Sequence, residues 1–285
     1  FRLFFPGVIS SGVIQLNIVI GTIIASFLPV GAISHIYYAD RLNQLPLAIF
    51  GIAMGVVLLP NLSRAIKEKK IDSIKETQNR SLEFSLLITI PSAVGLFILS
   101  YPIINILFER GEFLSIDTFY TAKVLSIFSL GLPAYILIKI LIICFFARED
   151  TKTPLYFSLI SVILNIILSL LLIGSMREMG IATATAISAW LNALLLFFAL
   201  KAKNYFEFDN QLIKNSLKIL ASVAMMGLVC FYLSKKLFIK ILEIGNLEKA
   251  LMLILIIIFC KIIYLVMIFM LKVITVRDLK GYIKK

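Results

Sequence analysis

The chain has 285 residues, of which 60% are hydrophobic and 15% are charged, and its mean hydropathy is +1.01. About a quarter of the residues in soluble domains are charged, so this composition excludes an ordinary soluble domain. The net charge of +12 does not indicate a nucleic-acid partner, because the basic residues lie between apolar runs. Runs of about twenty apolar residues recur along the chain and predict an all-α polytopic membrane protein.

These runs predict about eight transmembrane helices. They are Pro6–Leu28, Ile33–Leu59, Leu82–Ser100, Phe119–Phe146, Pro154–Ile173, Gly180–Leu200, Ser216–Leu233 and Ala250–Leu271. The stretch before the first span and the loops after every second span together carry 18 Lys and Arg, against 7 on the opposite side, which predicts that both ends of this segment are cytoplasmic. The lysine-rich stretch 61–80 is expected to be a loop, either an amphipathic surface helix or a solvated connector. Because the sequence begins at Phe1, we expect the C-terminal part of a longer protein.

The second predicted span carries two adjacent charges, Asp40 and Arg41. A charged side chain at the centre of a spanning helix costs about 2.5–3.5 kcal/mol on insertion scales. In a helix these two residues share a face with Tyr37 and Gln44, and the face continues with small residues at 48, 51 and 55. This pattern predicts a helix that lines a hydrated cavity. Two alternatives stay open: the charges lie at the water interface, and the Gly51–Gly55 pattern serves close helix packing.

Other polar residues lie inside the predicted spans. Asn17, Asn165, Ser169 and Thr185 are candidates for a monovalent cation site, although such residues also bond neighbouring helices. Lys139 and Lys261 are further candidate cavity residues. His35 stands near the outer start of the second span, where a structural role is favoured over a proton relay.

No motif indicates an enzyme. The three cysteines lack metal-ligand spacing, and the chain has one histidine. Zinc-protease, serine-hydrolase and phosphate-loop signatures do not occur in the sequence. We therefore expect neither catalytic residues nor a cofactor. The sequence does not give an energy source, and coupling to the membrane potential or to a monovalent cation stays open.

Several motifs resemble one known family. Tyr37-Tyr-Ala-Asp-Arg-Leu-x-Gln-Leu-Pro46, Gly51-x-Ala-x-Gly55 and Leu59-Pro-Asn-Leu-Ser-Arg64 are similar to the signature of the MurJ (MviN) lipid II flippases. The likeness continues through Phe108-Glu-Arg-Gly-x-Phe113, Ala147-Arg-Glu-Asp-Thr-Lys-Thr-Pro154 and the stretch 181–195. It covers roughly the first two hundred residues, and the last eighty or so match only in character.

The resemblance implies half of a two-lobe fold of the multidrug/oligosaccharidyl-lipid/polysaccharide exporter type. Residues 1–205 would form the second six-helix lobe, and residues 206–285 would form two C-terminal helices with a groove for a lipid tail. The implied function is translocation of lipid II, the undecaprenyl-pyrophosphoryl disaccharide-pentapeptide, across the bacterial cytoplasmic (inner) membrane by alternating access. The implied partners are lipid II, the missing N-terminal lobe and membrane lipids, with no nucleic acid.

The same resemblance matches Asp40 and Arg41 to the cavity-lining acid and base of the family. A guanidinium suits a pyrophosphate because its planar donors fork onto two oxygens. Asp40 is expected to hold the Arg41 side chain until the substrate binds. Two other functions stay open: a cation-coupled exporter of drugs or other polysaccharide lipids from the same superfamily, and a membrane scaffold for cell-wall enzymes.

Overall fold

The computed structural model describes residue 15, residues 17–240 and residues 246–273, and of these the side chains of 49–57, 237–240 and 246 are left out. Over the described residues the chain is helical. Its helices are α1 (residues 17–25), α2 (Ala32–Lys67), α3 (Ile71–Phe108), α4 (Ser115–Phe146), α5 (Lys152–Met176), α6 (Glu178–Ala202), α7 (Asn210–Lys240) and α8 (Asn246–Met270).

Six of these helices, α3 to α8, are long and apolar enough to cross a membrane by length and composition, within the part of the chain that is described. Each of α2 to α8 overlaps one predicted span. The prediction of a helical, multi-pass membrane protein with about eight helices is therefore confirmed. Residues 6–14 and residue 16 of the first predicted span lie outside the described residues, as do the side chains of the Gly51–Gly55 pattern.

The prediction of a loop at 61–80 is wrong. α2 continues to Lys67 and α3 begins at Ile71, so only three residues connect them. At about 1.5 Å per residue, the 36 residues of α2 span roughly 54 Å, which exceeds a hydrocarbon core of about 30 Å. The charged stretch therefore forms the end of α2 and the start of α3. Arg64 and Lys67 in the last turn of α2 interact favourably with the negative end of the helix dipole.

α4 is the central helix of the bundle and packs against α2, α3 and α6. Its face towards α6 is built from small residues, with Ala134 buried beside Ala189 and Ala193. Small side chains let two helix backbones approach closely, which is a usual way to join helices in lipid. α5 packs mainly against α6, and thus forms the outer layer on that side.

The last two helices pack on α3. Leu99 of α3, Ile219 and Val223 of α7, and Tyr264 and Ile268 of α8 share one buried cluster. At the end of the bundle that holds the 203–209 connector, buried Asn79 donates to the Glu207 carbonyl at 2.9 Å and so ties the connector to α3. The division into residues 1–205 and 206–285 stays a prediction.

Candidate functional site: a polar cavity between five helices

A cavity of about 370 Å³ lies between α1, α2, α4, α5 and α6. This volume lies at the lower end of ligand pockets, which hold about 300–1,000 Å³. The cavity therefore has room for water and a small ion.

Three of the four predicted substrate residues line this cavity, namely Tyr37, Asp40 and Gln44 on α2. The Asp40 carboxylate accepts a hydrogen bond from the Gln44 amide one turn later. Asp40 is the one carboxylate among the described residues that line the cavity. The polar face of α2 that the sequence predicted thus lines a cavity, and its hydration stays a prediction.

Arg41 is not among the described residues that line the cavity. Its side chain is exposed, and its guanidinium carbon lies 4.5 Å from the centre of the Tyr37 ring. Among the ion pairs of the described residues there is none between Asp40 and Arg41, so the expected contact that would hold the guanidinium is not formed. Consecutive residues of a helix point about 100° apart, which sends the two charges to different surroundings.

All four candidate cation ligands line the same cavity. Asn165 on α5 donates to the Asn17 oxygen on α1 at 3.0 Å, and Ser169 donates to the Asn165 oxygen at 3.1 Å. Thr185 on α6 donates to the Ile181 carbonyl at 2.8 Å. Of the two possibilities that the sequence left open, bonding between helices is observed for Asn17 and Asn165, and the cation site stays a prediction.

These four side chains offer neutral oxygens only. Calcium and magnesium sites normally include carboxylates, whereas amide and hydroxyl oxygens without a formal charge suit a monovalent ion better. Asp40 supplies the one negative charge among the described residues that line the cavity. The donor set thus fits a monovalent cation, and its role as a cation site stays a prediction.

Two cavity residues were missed at the sequence level. Asn43 is only 2% exposed, and its side-chain oxygen has no hydrogen-bond partner in the structure. The Tyr135 hydroxyl of α4 is likewise buried and unpartnered, and both residues line the cavity. Asn43 lies three residues after Asp40, on the same helix face, so spacing could have found it. Tyr135 is nearly a hundred residues away, and no spacing rule reaches it.

Lys139 and Lys261 lie elsewhere. Both side chains are exposed, and neither is among the described residues that line the cavity. Lys139 belongs to α4 and Lys261 to α8, so the structure does not bring them together with Asp40. Their role in binding a substrate stays a prediction.

The helical fold is similar to part of the fold of a solved membrane transporter. A multidrug resistance MATE family transporter of the MOP superfamily, in an outward-facing conformation, matches with a TM-score of 0.60 at 17% identity. The match covers 93% of this chain and 61% of that chain. At this identity the likeness shows the fold alone.

The chain belongs to the lipid II flippase MurJ family, whose model matches residues 1–247. A probable lipid II flippase MurJ of Rhizobium tropici is 46% identical over 231 residues, covering 81% of this chain and 43% of that protein. The corresponding protein of Haemophilus influenzae is 36% identical, covering 81% of this chain and 46% of its own length. A solved structure of the lipid II flippase MurJ in an inward closed conformation matches with a TM-score of 0.74 at 31% identity, covering 93% of this chain and 52% of that chain.

The chain therefore spans about half the length of the curated relatives it matches. The family predicted from the motifs is confirmed, and it is a family of transporters rather than enzymes.

Proposed function

We propose that this chain is the second half of a flippase that moves lipid II from the inner to the outer leaflet of the bacterial cytoplasmic membrane. Membership of the lipid II flippase family carries this proposal. Both ends of the segment face the cytoplasm, and an N-terminal lobe completes the transport path. Residues 1–205 act as one lobe of an alternating-access pair, and residues 206–285 add two helices beside it.

The lipid II head group passes outside the cavity described above. Arg41 is not among the described residues that line that cavity, and its side chain is exposed. Arg41 faces the space between the lobes, where it binds the pyrophosphate through two parallel hydrogen bonds. The Tyr37 ring stabilises the guanidinium through a cation–π contact, with the guanidinium carbon 4.5 Å from the ring centre.

The small cavity serves energy coupling. A monovalent cation bound by Asn17, Asn165, Ser169 and Thr185 joins α1, α5 and α6. Asp40, on α2, compensates its charge across the cavity. Cation binding thereby fixes the helix that carries Arg41 on its other side, and links the ion to the substrate site. The lipid tail stays in the membrane along α7 and α8, whose outward faces are apolar, as at Leu228 and Leu255.

The test replaces Arg41 in the full-length protein and measures flipping of lipid II per folded molecule. Arg41→Lys keeps the charge but loses the planar fork, so we expect a partial defect. Arg41→Ala removes a hydrogen bond to a charged group worth about 1.5–3 kcal/mol, so we expect flipping to fall at least about tenfold.

Arg64→Ala is the matched control, because Arg64 is an exposed arginine near the end of the same helix. The Arg64→Ala protein should flip lipid II at the wild-type rate. Normal flipping by Arg41→Ala, or a loss that only follows a reduced protein level, contradicts the proposed contact.

A further inference from the structure

Outside the cavity, the only histidine of the sequence lies between two carboxylates. His35 Nδ1 is 3.0 Å from Glu178 Oε1, and His35 Nε2 is 3.0 Å from Asp117 Oδ1. His35 is 6% exposed and Glu178 is 3% exposed. Each ring nitrogen therefore has its own acidic partner, and the three side chains come from α2, α4 and α6.

The cluster lies where three helices begin. Glu178 is the first residue of α6, and Asp117 also accepts from the Leu114 backbone amide at the start of α4, at 2.8 Å. Gly31 precedes α2 with a φ of +99°, and a β-carbon there would lie 3.4 Å from the His35 ring. The start of α2 is thus held against two other helix starts through one imidazole.

Among the described residues, few other charged or titratable groups face this imidazole. Tyr120 of α4 stacks on the ring with centroids 5.8 Å apart. Arg177, next to Glu178, lies with Nη1 3.5 Å from the Tyr120 hydroxyl. Glu109, at the end of α3, accepts from Thr118 rather than from His35. Residues 17–25 of α1 contain no titratable side chain.

Counting protons shows what the arrangement requires. A neutral imidazole has one N–H donor, and an ionised carboxylate only accepts. Two hydrogen bonds therefore need two protons among the three groups. When one proton leaves, a ring lone pair faces a carboxylate across 3.0 Å and that contact is lost.

We propose that His35, Asp117 and Glu178 form a proton-binding site that fastens the start of α2 to α4 and α6 while His35 carries both ring protons, and releases one of these contacts when a proton leaves. The site goes beyond the proposed transport of a lipid. It acts on α2 five residues before Asp40, so its protonation sets the position of the helix that forms one wall of the cavity.

Selective ¹⁵N labelling of histidine tests the proton count, because one histidine gives one pair of ring signals. At a pH of about 5.5, below the ordinary imidazole pKa of about 6.5, both nitrogens of the 285-residue chain in liposomes should be protonated. Raising the pH should remove one ring proton. A ring that is neutral at the lower pH overturns the proposal.

Two variants predict opposite tautomers of the neutral ring. In Glu178→Gln the new amide donates to Nδ1, so the proton stays on Nε2 and points at Asp117. In Asp117→Asn the amide donates to Nε2, so the proton stays on Nδ1 and points at Glu178. Glu112→Gln, in an exposed position of the connector before α4, is the control and should behave as the wild type. A shared tautomer in the two variants overturns the assignment.

The distance between spin labels at Val30 and Ile116 tests whether protonation holds the start of α2 against α4. Both positions are exposed, at 106% and 53%, and they flank the cluster on the α2 and α4 sides. In a background without the native cysteines, the distance distribution should be narrow at acidic pH and broaden as the pH rises. Glu178→Gln should keep it narrow at both pH values, because its neutral ring still makes both bonds. A wild-type distribution that does not change with pH, or a Glu178→Gln distribution that broadens as the wild type does, overturns the proposal.

Discussion

Asp40 and Arg41 show how two neighbouring residues acquire separate tasks. Asp40 lines a small cavity together with neutral oxygens, whereas Arg41 is exposed and contacts the Tyr37 ring. If the pair acted as one unit, removal of either charge would have the same effect. The structure separates them, so each charge should govern a different ligand.

The first prediction concerns Asp40. Asp40→Asn keeps the shape and removes the negative charge that faces the cation ligands, so binding of a monovalent cation should weaken about tenfold, the effect of roughly 1.4 kcal/mol. The measurement is the rise in melting temperature with added sodium, at constant ionic strength set with choline. Arg41→Ala is the control and should keep the wild-type response. Equal responses of Asp40→Asn and wild type would exclude this role for Asp40.

The second prediction concerns Gly180, near the start of α6. A β-carbon there would lie 2.7 Å from the Leu172 carbonyl oxygen of α5, and backbone cannot move aside as a flexible side chain can. Gly180→Ala should therefore destabilise the protein by about 1–3 kcal/mol. Gly174→Ala is the control, because nothing lies within 4 Å of its β-carbon. That variant should be neutral or slightly more stable, since alanine favours helix. Thermal unfolding in detergent distinguishes the two.

At the scale of elements, one aspartate fastens the start of α5. Asp150 accepts from the Thr153 backbone at 3.1 Å and from the Thr153 hydroxyl at 2.8 Å, and Lys203 donates to it at 2.6 Å. Burial raises the pKa of this carboxyl. The hydrogen bonds from Lys203 and Thr153 together lower the pKa by more than burial raises it, so the pKa of Asp150 lies below its ordinary value.

The third prediction follows from the sign of that shift. Because the folded-state pKa is lowered, the unfolded chain binds the proton more readily, and the stabilisation is present above the unfolded value of about 3.9. It is lost as the pH falls through the folded value. Asp150→Asn should melt below wild type at neutral pH, and the difference should shrink in acid. Glu149→Gln, at the exposed neighbour, should show no such trend. A constant difference at all pH values contradicts this account.

The sequence predicted the helices well and their ends poorly. Apolar runs mark the part of a helix that lies in lipid, so spans such as Phe119–Phe146 lie within or close to the observed α4. They do not mark charged extensions, and α2 and α3 therefore continue into the charged stretch 61–80. Residues on one helix face, such as Tyr37, Asp40 and Gln44, were found by spacing.

Contacts between helices that are distant in the sequence could not be predicted from it. His35 and Glu178 are 143 residues apart, and the acid falls just outside a predicted span, where it would be expected to meet only water. The meeting of Asn17 with Asn165 is of the same kind, since it depends on how α1 and α5 pack.

The fourth prediction concerns orientation of the whole molecule. α3 has 38 residues, or roughly 57 Å of helix at about 1.5 Å per residue, and therefore separates its two ends by more than a bilayer core of about 30 Å. Single cysteines at Ser73 and Glu112, in a background without the three native cysteines, should label from opposite sides of the membrane. The Ser73 site should react only from the cytoplasmic side. Labelling of both sites from outside contradicts the proposed topology.

The last prediction concerns completeness. A single lobe cannot alternate access around a path that two lobes enclose, so the 285-residue chain by itself should not flip lipid II. Supplying the N-terminal half of the Rhizobium tropici relative, which is 46% identical over the matched part, should restore flipping when the two pieces are produced together. Complementation of a flippase-deficient cell measures this, with the N-terminal half alone and the Arg41→Ala chain as controls. If the 285 residues complement unaided, the transport path lies within this chain. Arg41 would then have to act inside one lobe, where its exposed side chain has no opposing surface.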